Sequence, residues 1–105
     1  QWSWQAFSSR YDAMTTTTIR LRELRNEKKR LAKTIASLKK VNNKLNRSRK
    51  SLREVMVDES MNTADKSQIE RAEISLRTVA ERRELQINGL QDRIDAIHEE
   101  WLTFI

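Results

Sequence analysis

The sequence predicts an all-α protein: an antiparallel two-helix coiled-coil hairpin with a short aromatic helical extension at its N-terminus. Three observations predict it. The 105 residues include no proline and one glycine, Gly89, so the chain lacks the turn chemistry that sandwiches, barrels and α/β folds depend on. Leucines recur every seventh residue at Leu24, Leu31, Leu38, Leu45 and Leu52, which is the d row of five consecutive heptads. A second apolar row follows a short polar segment able to reverse the chain. Apolar residues make up 37% of the chain and charged residues 34%, so the core must be a narrow seam within one domain.

The N-terminal segment, residues 1–14, carries Trp2, Trp4, Phe7, Tyr11 and Met14. Positions 4, 7, 11 and 14 fall on one helical face. Four threonines follow, Thr15 to Thr18. β-Branched side chains weaken helix propensity, and threonine hydroxyls compete for backbone groups. A bend is therefore expected there.

Residues 18–57 form the basic helix. With leucine at d, the a positions are Leu21, Lys28, Ile35, Asn42, Arg49 and Met56. Three of these six are polar, and each polar a residue lowers stability while restricting register and oligomeric state. A parallel homodimer would set Lys28 against Lys28 and Arg49 against Arg49, a poor arrangement.

Residues 58–66 are acidic and small-polar and should form the turn. Ser67 and Glu70 make a capping box for the next helix, with Asp58 and Thr63 as other candidate caps. The helix at 67–104 presents Ile69, Ala72, Leu76, Val79, Ile87, Leu90, Ile94, Ile97, Trp101 and Phe104. Two adjoining steps of four around Arg83 predict a stutter, and Gly89 reads as a weak point or close-packing site rather than a turn. Reversal about Ser60 to Asn62 sets residue i opposite roughly residue 122 − i, Arg49 against Glu73 and Leu21 near Trp101. Charge agrees with this pairing: residues 1–57 hold 15 basic and 4 acidic side chains, and residues 67–105 hold 5 basic and 8 acidic.

The pairing gathers all six aromatic residues at one pole. They either plug the open end of the hairpin or form a partner-binding surface of Trp2, Trp4, Phe7, Tyr11, Met14, Trp101 and Phe104; Trp and Tyr dominate interface hot spots. An isolated hairpin with Lys28, Asn42 and Arg49 on its seam is thinly stabilised, so it is expected to complete a bundle with a second copy or another protein.

Catalysis finds no footing. His98 is the single imidazole, and Asp92, Asp95 and Glu99 beside it read as a solvated acidic stripe rather than a metal site. One glycine cannot build a phosphate-cradling loop, and the absence of cysteine excludes disulfides and thiolate chemistry. No apolar run approaches the roughly 20 residues of a membrane span. The expected function is a non-enzymatic protein–protein interaction module of assembly, adaptor or secretion-partner type, without cofactor or small-molecule substrate.

The alternative is non-specific nucleic-acid binding by Lys39, Lys40, Lys44, Arg47, Arg49, Lys50 and Arg53, seven cations in a stretch without acids; such a run on a rod would release counterions from phosphates. The leucine repeat and Asn42 at an a position resemble the leucine-zipper transcription factors. In that family, however, the basic region precedes the zipper, whereas here the densest basic stretch lies inside the heptads. A helical hairpin of this size with an aromatic end is also similar in architecture to the small partner proteins of bacterial type VII secretion. Their Trp-x-Gly turn is absent from residues 58–66.

Overall fold

The computed structural model describes the backbone from Trp4 to Ile105 and the side chains from Arg10 onward. It contains two helices, α1 (Trp4–Met56) and α2 (Thr63–Leu102), and no strand among the described residues. The helices run antiparallel in a rod of 91 × 16 × 14 Å. At about 1.5 Å per residue, the 53 residues of α1 account for most of that length.

The bend expected at Thr15 to Thr18 is absent, and there is no separate N-terminal helix: α1 is continuous from Trp4. The hydroxyls explain this. Thr16, Thr17 and Thr18 donate to the carbonyls of Asp12, Ala13 and Met14 at 2.9, 3.0 and 3.0 Å. Each hydroxyl thus bonds back one turn rather than competing for an N–H, and no proline interrupts the ladder.

Chain reversal occupies Val57 to Asn62. Asp58 Oδ1 accepts from the Ser60 N–H (2.9 Å) and hydroxyl (2.7 Å), and the Met61 N–H donates to the Asp58 carbonyl at 3.3 Å. The cap of α2 is Asn62, whose Oδ1 accepts from the Asp65 N–H at 2.8 Å. This corrects the start expected from Ser67 and Glu70: α2 begins one turn earlier, because Asn62 has the extended backbone a cap needs (φ −77, ψ 164) and a short acceptor side chain.

The core is a single seam. Leu24, Ile35, Ala80, Ile87 and Ile97 are its buried apolar residues, and Glu73 is buried among them. Leu21, Leu31, Leu38, Leu45 and Leu52 on α1, with Ile69, Leu76, Leu90 and Ile94 on α2, are half-buried, as a two-layer seam open on both flanks requires.

On α2 the inward row is Lys66, Ile69, Glu73, Leu76, Ala80, Arg83, Ile87, Leu90, Ile94, Ile97 and Trp101. Its steps alternate three and four throughout, so the stutter is absent. Ala72 and Val79, expected on the seam, face outward, and Glu73 and Ala80 take their places. Hydrophobicity favours Val79, but unbroken heptad geometry requires the neighbouring column. Glu73 tolerates burial because Arg49 meets it at 3.2 Å, and Ala80 leaves room for Asn42, whose Nδ2 donates to the Ala80 carbonyl at 3.3 Å.

On α1, Lys28 is exposed, contrary to its a-position assignment. Glu27 is half-buried beside it and accepts from Arg93 at 2.8 Å. Gly89 is exposed within α2, and a Cβ built there would meet nothing within 4 Å, so it is not a close-packing site.

Candidate interaction surface at the open end of the hairpin

Four cross-helix polar contacts fix the register: Arg49–Glu73, Asn42–Ala80, Glu27–Arg93 and Arg20–Glu100. The expected opposition of residues i and 122 − i holds within two positions at each. The Arg20–Glu100 contact is a two-pronged clamp, Nε to Oε2 and Nη2 to Oε1, both 2.9 Å. Hydrogen bonds to Glu100, and to Glu23 one turn along α1, push the Arg20 pKa further up.

The clamp marks where α2 runs out. Its C-terminus closes at Thr103, whose N–H and hydroxyl both bond the Glu100 carbonyl, at 3.0 and 2.6 Å. Helix α1 continues past this point for about four turns. On that overhang Tyr11 is 63% exposed, Met14 71% and Ile19 50%.

Three grooves run in sequence along this end. The first, about 340 Å³, is lined by Leu24, Arg25, Lys28, Ile97, His98 and Trp101. The second, about 250 Å³, lies between Thr18, Leu21, Arg22, Arg25 and Trp101. The third, about 410 Å³, is lined by α1 alone: Tyr11, Met14, Thr15, Thr18, Ile19 and Arg22. Neighbouring grooves share Arg25 and Trp101, then Thr18 and Arg22, so they join into one strip. Positions 11, 14, 15, 18, 22 and 25 follow helical spacing on one face of α1. The helix of the overhang is unbroken.

Of the aromatic residues singled out from the sequence, Trp101 is half-buried and joins two of the grooves, next to Leu21 as expected. Tyr11 and Met14 share the third. Phe104, 39% exposed, lies beyond the end of α2 and lines none of them. Trp2 lies outside the described residues, as do the side chains of Trp4 and Phe7, although the backbone of these two belongs to α1. Sequence reading missed the basic rim of Arg22, Arg25 and Lys28 and the part played by Ile19. The signal was present: carrying the helical phase through Thr15 to Thr18, instead of breaking it there, places these residues beside Tyr11 and Met14.

The basic stretch divides. Lys39, Lys40, Lys44, Arg47, Lys50 and Arg53 are exposed, whereas Arg49 turns inward to Glu73 and Asn46. His98 and Trp101 both line the first groove. Among the described residues no group of three or more His, Asp or Glu is placed to hold a metal ion, and no helix is long and apolar enough to cross a membrane.

The architecture is that of an antiparallel helical hairpin with one arm longer than the other. Comparison with protein-family models, curated proteins and solved structures finds no significant match.

Proposed function

We propose that this chain is a non-enzymatic helical interaction module, of assembly, adaptor or secretion-partner type, whose docking element is the open end of the hairpin. The observation that carries the reading is the exposure of Tyr11 and Met14 on a continuous helix beyond the reach of α2. Aromatic and long apolar side chains clustered on an exposed surface mark interaction sites in soluble proteins. A plug would cover these residues; they stand clear of α2. The half-buried leucine row supports the same reading, since its flanks leave room for another helix. Capture from the native source tests it. The Y11A/M14A variant should lose the partner while keeping its helical circular dichroism, and undiminished capture would overturn the proposal.

A second reading is favoured by one observation: Lys39, Lys40, Lys44, Arg47 and Lys50 all point outward and make no ion pair among the described residues. Such a stripe suits phosphate backbone. It requires steeply salt-dependent affinity for duplex nucleic acid, and affinity that is flat with salt eliminates it.

A further inference from the structure

We propose that the occupant of the open end is an acidic amphipathic helix of about five turns, laid along the strip from Tyr11 to Lys28; this rests on the docking reading above. The length follows from the strip. Tyr11 to Lys28 spans 17 residue steps of α1, and a helix lying alongside needs about as many residues at the same rise.

The floor of the strip is apolar, formed by Met14, Ile19, Leu21, Leu24, Ile97 and Trp101. This is the form of a helix-in-groove site that reads anchors spaced three and four apart.

The charge follows from the rim. Arg22, Arg25 and Lys28 border the three grooves, and no carboxylate lines any of them among the described residues. Of the acids at this end, Glu23 and Glu100 hold Arg20 and Glu27 holds Arg93, while Asp12, Asp95 and Glu99 line none of the three grooves. The three rim cations make no ion pair among the described residues. A partner carrying Glu or Asp beside its apolar stripe would meet all three. A second copy of this chain docked pole to pole would bring the same cations against themselves, which electrostatic complementarity disfavours. A phosphate polymer would answer the rim but leave the apolar floor uncovered.

The test uses the full chain and two labelled synthetic helices of 18 residues. Both carry leucine at the a and d positions; one has glutamate at every flanking e and g position, the other lysine. Anisotropy titrations should show the glutamate peptide binding at least about tenfold more tightly than the lysine peptide. The R22E/R25E/K28E variant should invert that order, and M14E, placed at an exposed site, should abolish binding without loss of helix. Equal binding of the two peptides would overturn the acidic partner and leave the docking reading in place. Failure of both peptides to bind would overturn the helix-in-groove inference, whereas the docking reading answers to the Y11A/M14A capture. A dimer of the chain alone in sedimentation, dispersed by M14E, would overturn it in favour of a second copy.

Discussion

Arg49 Nε lies 3.2 Å from Glu73 Oε1 across the helix interface, with the two side chains only 17% and 8% exposed. A charge pair therefore occupies a full layer of the seam. The two partners are not equivalent. Arg49 also bonds Asn46 at 3.1 Å and can reach water along its stem, whereas Glu73 sits deeper.

Removing the arginine should cost more than removing the acid. R49A strands a buried carboxylate and is expected to lower stability by about 3 kcal/mol, with E73A costing less. The double replacement R49L/E73L is expected to be as stable as the parent or more so. Urea unfolding of the four proteins checks this, and a double mutant as unstable as R49A would contradict it.

Gly89 lies mid-helix with open space where its Cβ would be. G89A should raise stability by about 0.5–1 kcal/mol, because glycine loses more backbone entropy on folding than alanine. A lower melting temperature would mean that the position serves something other than the folded hairpin.

The start of α2 should respond at Asn62 and not at Ser67. N62A removes the acceptor for the Asp65 N–H and is expected to cost about 1 kcal/mol. S67A, inside the helix and exposed, should stay within about 0.5 kcal/mol of the parent.

The turn should weaken in acid. Hydrogen bonds from the Ser60 hydroxyl and N–H, with the charge of Lys66 beyond them, hold the Asp58 carboxyl below the ordinary carboxylate range. A carboxyl with a depressed folded-state pKa contributes stability that is complete above its unfolded pKa and lost as pH falls through the folded one. Unfolding midpoints taken from about pH 5 down to about pH 2 should therefore drop less in D58N than in the parent. Parallel profiles would remove Asp58 from the account.

The hairpin, its reversal between Met56 and Thr63, and its register were legible because leucine spacing and opposite charge both report the same pairing. Arg49 and Glu73 illustrate this: their opposition follows from position alone. What was not legible had competing physics. At Thr15 to Thr18 intrinsic propensity argued for a break, but hydroxyls bonded back one turn, and a helix without glycine or proline carried on. At 72/73 and 79/80 hydrophobicity pointed to Ala72 and Val79. Heptad continuity chose Glu73 and Ala80, one protected by an arginine and the other small enough to face Asn42. The rim of Arg22, Arg25 and Lys28 was hidden by the same assumed break, since it becomes a neighbour of Tyr11 only on an unbroken helix.

Everything proposed for the open end requires that α1 and α2 of one molecule pair antiparallel, with α1 extending past the end of α2. The absence of cysteine makes a direct measurement clean: spin labels at K39C and R82C, exposed positions opposite one another across the hairpin, with the separation read by pulsed electron resonance in an excess of unlabelled protein. The hairpin predicts a short separation, about 20 Å or less, that survives the dilution, since packed helices lie about 10 Å apart axis to axis. A separation near 65 Å, as 43 residues of straight helix would give at about 1.5 Å each, or a short one that vanishes on dilution, would contradict it.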